Sequence, residues 1–195
     1  WLIKTSEFIF NLDLAFLGVY PREIFGLIGI VAMPLVHGSF SHLASNTLPL
    51  LVLGSAILYF YPKSSPRVFL IIYLLPSLLV WLFGRESFHI GASGVIYGLA
   101  AFAFFSGLIR RDSRAIALAL LVTFLYGSLV WGILPTKGNV SWEGHLFGGL
   151  TGVIAAIIYR KYDPYKKYEW EDEEEDFDPN ELKISHDKGF PFDDD

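Results

Sequence analysis

Five long apolar runs, free of charge except for Glu143, constrain this chain more than any other feature. They occupy approximately residues 43–61, 68–84, 90–109, 115–134 and 142–159. A helix rises about 1.5 Å per residue and the hydrocarbon core of a bilayer is about 30 Å thick, so roughly 20 apolar residues make one crossing. Polar punctuation separates the runs: Pro62-Lys63-Ser64-Ser65-Pro66, Arg85-Glu86, Arg110-Arg111-Asp112-Ser113-Arg114 and Pro135-Thr136-Lys137-Gly138-Asn139. The pattern predicts an all-α, polytopic membrane bundle. Composition agrees, with 53% hydrophobic and only 18% charged residues and a mean hydropathy of +0.45, which excludes an ordinary soluble domain.

Residues 25–36 are apolar over only about a dozen positions, a length that suits an interfacial or re-entrant segment rather than a crossing. Residues 8–20 are interrupted by Asn11 and Asp13, and the chain opens at Trp1. An earlier helix is therefore expected to be incomplete, with residues 1–10 as its end.

Charge divides the chain. From Asp163 onward there are 14 acidic and four basic residues, against 11 basic and six acidic before it. Residues 1–162 read as the membrane domain. Residues 163–195, with eight acids in the ten positions 169–178, read as a disordered cytoplasmic tail. Lys63, Arg67, Arg110, Arg111, Arg114, Arg160, Lys161, Lys166 and Lys167 fall on one set of loops, whereas the alternate loops hold Arg22, Arg85 and Lys137. The positive-inside rule makes the richer set cytoplasmic and turns the other end of the bundle outward. The expected location is a bacterial plasma membrane.

Polar groups at membrane depth are costly and rare, so each is a functional candidate. His42 and Asn46 are four apart near the start of the first run, with His37 just before it. Ser93, in Gly91-Ala92-Ser93-Gly94, is followed four residues later by Tyr97, and His145 opens the last run. Taken singly, each could simply tie helices together. All of them fall toward the outer end. Gly94 and Gly98 on one run, and Gly144, Gly148 and Gly152 on another, have the spacing that lets two helix backbones approach closely. Facing rows would bring Ser93 within hydrogen-bonding reach of His145.

A serine hydroxyl needs a base to become a nucleophile, and a neutral imidazole can take its proton and return it to a leaving amine. Ser93 is the candidate nucleophile and His145 the base. Glu143, two residues earlier, is expected to point elsewhere, leaving a dyad. Tyr97 is placed to orient the imidazole. The Ser93 N–H, Asn46 and His42 are candidate oxyanion donors, and His37 is expected to hold its connecting segment in place. No cysteine and no His-Glu-x-x-His pair is present, so neither a thiolate nor a zinc-protease mechanism is expected. No cofactor, metal or nucleic acid is implied.

Three motifs in order carry a resemblance: His37-x4-His42-x3-Asn46, then Gly91-Ala92-Ser93-Gly94 with Tyr97, then Gly144-His145-x2-Gly148-x3-Gly152. With these the chain resembles the rhomboid family of intramembrane serine proteases, over approximately residues 17–159. The resemblance implies a six-helix core and a Ser93–His145 dyad, with His42 and Asn46 at the oxyanion, Tyr97 packed on His145 and His37 structural. It also implies hydrolysis in or near the transmembrane segment of other membrane proteins, with small residues near the cut. The chain departs from the family's common Trp-Arg in the first loop, having Tyr20-Pro21-Arg22. Residues 135–142 are the expected lid, and the run before them, with Phe124, Tyr126 and Trp131, the expected lateral gate. The alternatives are a non-catalytic, helix-binding relative and a histidine-based transporter. The latter lacks a carboxylate inside its spans and an inverted repeat. The oligomeric state is left open.

Overall fold

A computed structural model describes residues 1–135 and 141–164. Seven α-helices are present among them: α1 (Leu2–Phe10), α2 (Gly29–Ala32), α3 (Phe40–Phe60), α4 (Ser65–Phe83), α5 (Ser93–Arg110), α6 (Ser113–Tyr126) and α7 (Trp142–Ile158). Short 3-10 segments occupy Ala15–Leu17, Ile24–Ile28, Met33–Leu35 and Gly127–Ile133. No β-strand occurs among the described residues, and Val19 and His89 form one isolated antiparallel bridge.

Side-chain oxygens start three of the helices. Ser39 Oγ accepts from His42 N at 3.0 Å, Asp112 Oδ1 from Ala115 N at 2.8 Å, and Ser141 Oγ from Gly144 N at 3.2 Å. Each satisfies an N–H that the helix itself cannot. Asp163, first residue of the acidic segment, performs a similar service at the head of α4, accepting from Lys63 N at 2.7 Å and from Ser64 Oγ at 2.6 Å. The remaining acidic residues, 165–195, lie outside the described residues.

Helix α5 is central. It packs on α3, α4, α6 and α7, with α7 its most extensive partner. Within its apolar span 56% of residues are buried, against 28% for α3 and for α4. Leu99, Phe102 and Ala103 of α5 meet Leu53 and Ile57 of α3, Ile72 of α4 and Ala155 of α7 in the core. The outward faces carry Leu51, Leu70, Phe83, Leu120, Phe124 and Ile157, all exposed. A surface of that kind suits lipid, not water. Helices α3, α4 and α5 are each long and apolar enough to cross a membrane.

Two expectations change in detail. The run at 115–134 is not one α-helix: the ladder stops at Tyr126, whose φ of −129° leaves the helical region, and the chain continues as the 3-10 segment Gly127–Ile133. The run at 90–109 becomes helical only at Ser93, because Gly91 has φ +108°, a conformation that helices exclude. The segment expected to be interfacial or re-entrant is a chain of short helical turns, 24–35, in which Gly26 and Gly29 press against the backbone of Tyr20 and Val19. Arg22 ties this first loop to the end of α4, donating from Nη1 to Gly84 O at 2.8 Å.

Candidate active site

The starts of α3, α5 and α7 lie at one end of the bundle and carry the polar residues. Ser93 is the first residue of α5 and His145 the fourth of α7. The glycine rows explain their approach. A Cβ at Gly94 would lie 3.0 Å from Gly144 O, and one at Gly98 3.2 Å from Gly148 O. Cβ atoms at Gly148 and Gly152 would run into the carbonyl oxygens of Gly94 and Gly98. With hydrogens there instead, the two backbones touch.

At the end of this seam Ser93 Oγ is 2.8 Å from His145 Nε2. The other ring nitrogen, Nδ1, is 2.9 Å from the carbonyl oxygen of Gly132. A carbonyl can only accept, so Nδ1 bears the hydrogen in the neutral ring and Nε2 presents its lone pair to the serine hydroxyl. The Tyr97 ring stacks on the imidazole with centroids 4.1 Å apart and planes 4° from parallel. His145 is thus held from three sides and is only 7% exposed. Gly132 is required where it stands, since a Cβ would collide with the Tyr97 hydroxyl.

His37 and His42 frame the approach to Ser93. His37 Nδ1 lies 3.4 Å from Leu35 O, and its Nε2 accepts from Ala92 N at 3.4 Å, so it buttresses the turn before the serine. Its ring meets that of His42 edge to face, with centroids 5.0 Å apart. A Cβ on Gly91 would sit 2.7 Å from His42 Cε1, so both its positive φ and the close histidine demand glycine. Asn46 is buried and donates from Nδ2 to His42 O at 2.9 Å, which leaves the second hydrogen of its amide for another acceptor. Ile96 N to Ala92 O, at 3.1 Å, is the first bond of the α5 ladder. The N–H groups of Ser93 and Gly94 precede it and are not used by the helix.

The sequence matches the Rhomboid domain over residues 24–162. The chain belongs to the rhomboid family. It is similar to an uncharacterized protein of Mycobacterium bovis, 39% identical over 150 residues that cover 72% of this chain and 62% of that protein. It is also similar to an uncharacterized protein of Mycobacterium leprae, 38% identical with coverage of 67% and 55%, and to a RHOMBOID-like protein 2 of Arabidopsis thaliana, 31% identical with coverage of 63% and 39%. The chain therefore spans about three fifths of the length of its Mycobacterium bovis relative.

Two features of this rhomboid domain escape a reading of residue types, the Gly132 carbonyl and His89, while Glu143 points away as its position suggests. Gly132 contributes a backbone carbonyl, which no side-chain motif announces. Glu143 turns away from the dyad and pairs with Arg85, Oε1 to Nε at 3.4 Å. His89, just before the third apolar run, is 1% exposed and touches both Arg85 O and Ser141 Oγ. Of the expected lid, residues 136–140 lie outside the described residues. Of the expected gate, Phe124 and Trp131 are exposed, while Tyr126 lines an apolar cavity of about 490 Å3 beside Tyr97, Phe104 and Leu150.

His37 and His89 have their pKa pushed below the ordinary 6.5, chiefly by burial. Nearby His42 adds to the effect at His37, while the Arg85 carbonyl and Glu143 oppose it at His89. The unfolded chain then binds more protons than the folded one as pH falls below the ordinary value. Their contribution to stability is complete above pH 6.5 and is lost as pH falls through the depressed folded values. Thermal unfolding in detergent should show a midpoint that falls between about pH 7.5 and pH 5. His37→Asn and His89→Asn should each flatten that slope.

Proposed function

We propose that this rhomboid domain is an intramembrane serine endopeptidase that hydrolyses a peptide bond in or near the transmembrane segment of other membrane proteins. The observation that carries the reading is the 2.8 Å contact between Ser93 Oγ and His145 Nε2, with the tautomer it requires fixed by Gly132. Ser93 Oγ attacks the scissile carbonyl carbon as its proton passes to His145 Nε2. The resulting imidazolium keeps its Nδ1 hydrogen on the Gly132 carbonyl, which stands where soluble triads place a carboxylate. The Ser93 N–H, the Asn46 amide and the His42 ring receive the oxyanion, assisted by the positive end of the α5 dipole. His145 then protonates the departing amine, leaving an ester on Ser93. Water, deprotonated by the same nitrogen, hydrolyses that ester and frees the hydroxyl.

Substrates are segments of other membrane proteins in the same bilayer, unwound locally so that a carbonyl reaches Ser93. The run at 115–134 provides the lateral gate: its Phe124 and Trp131 are exposed and its Tyr126 lines the apolar cavity beside Tyr97. The basic loops put the dyad toward the outer face and the acidic tail in the cytoplasm. No cofactor takes part. The test is cleavage of a purified single-span protein co-reconstituted in liposomes, with products mapped by mass spectrometry. Cleavage in or beside the span supports the reading. An intact substrate that still co-purifies with the domain supports a helix-binding role in its place.

A further inference from the structure

The described residues contain a second serine–histidine pair beside the first. His89 Nδ1 is 2.6 Å from Ser141 Oγ, and each of these residues precedes its partner in the dyad by four positions: His89 before Ser93, Ser141 before His145. The tautomer follows as it does at His145. Nε2 of His89 lies 3.0 Å from Arg85 O, with Ser87 Oγ at 3.4 Å. The carbonyl can only accept, so Nε2 carries the hydrogen and Nδ1 accepts from the Ser141 hydroxyl. That hydroxyl oxygen in turn caps α7 by accepting from Gly144 N at 3.2 Å. A directed chain of hydrogen bonds therefore runs from the first turn of the helix bearing His145 to the loop that leads into Ser93.

The loop has other ties. His89 N donates to Val19 O at 2.8 Å, and Val19 N to His89 O at 3.0 Å, fastening it to the first loop. Arg85 and Glu143 join the same two segments through an ion pair. His89 is sealed from solvent, so this pair does not meet substrate.

We propose that His89 and Ser141 are positioning residues that clamp the start of α7 to the approach of Ser93 and so set the separation of nucleophile and base. The inference rests on the protease reading. The glycine seam fixes how close α5 and α7 come, and the clamp adds a tie between the first turn of α7 and the loop before Ser93. A helix start is where local freedom is greatest, and a small misplacement of the base costs rate rather than binding.

The test compares His89→Ala, Ser141→Ala, the double variant and Ser141→Thr in detergent and in liposomes. Each measurement follows substrate cleavage, the rate of Ser93 labelling by a fluorescent phosphonate, and thermal unfolding. Both single variants are expected to lower kcat and the labelling rate about 10- to 100-fold with KM within about twofold. The double variant should be no worse than either single one, because the pair acts as a unit. Ser141→Thr keeps the hydroxyl and should restore most of the rate. Unchanged kcat in folded single variants, with only the unfolding temperature lowered, would overturn the clamp, as would additive losses. If the histidine variant does not fold, the two Ser141 variants decide: equal rates for Ser141→Ala and Ser141→Thr overturn it. A wild-type protein that neither cleaves nor labels overturns the protease reading instead, and the clamp with it.

Discussion

Ser93→Ala is expected to lower cleavage of a reconstituted single-span substrate by about 10⁴- to 10⁶-fold, with binding of that substrate retained. Alanine removes the oxygen that lies 2.8 Å from His145 Nε2 and leaves the glycine seam untouched. His145→Ala should cost about as much, and the double variant little more than either, since nucleophile and base act as one unit. Residual rate would come from oxyanion donors that survive both substitutions. Cleavage and binding assays on the same liposomes separate the effects. Activity persisting in Ser93→Ala would remove that serine from the mechanism.

The second large effect belongs to stability and turns on two adjacent glycines. In Gly148→Ala the new methyl runs into the carbonyl oxygen of Gly94, a backbone atom that moves only if α5 and α7 part. The expected loss is about 2–4 kcal/mol, at the upper end of what overpacking costs, and dyad labelling should fall with it because His145 is carried on the displaced helix. Gly149 is one residue on, and a Cβ there meets nothing within 4 Å. Gly149→Ala should gain up to about 1 kcal/mol from helix propensity alone. Unfolding by heat or denaturant in detergent would read both, and equal effects at the two positions would contradict the seam.

Much of the bundle can be read from the chain because membrane depth simplifies the code. Apolar length defines α3, α4 and α5, and the short run at 25–36 forms the short helical segments of 24–35. The apposition of α5 and α7 follows from glycines four apart, since only small residues permit that approach. What resists reading has physical causes. The 3-10 stretch at 127–133 has the hydropathy of an α-helix, and nothing in its residue types announces that the α-helical ladder stops at Tyr126. The carbonyl that orients His145 is a backbone group, which every residue possesses. His89 stands outside the apolar runs, and its partner Ser141 looks like an ordinary helix cap. Sequence alone does not say that those two loops meet.

The most direct measurement is the site of covalent modification by a serine-directed fluorophosphonate in the wild-type protein held in liposomes, located by peptide mass spectrometry. A single phosphonyl adduct on Ser93, absent from His145→Ala, is the predicted result. A folded protein with no adduct on Ser93, or with the same labelling of Ser93 after His145 is removed, would contradict the dyad.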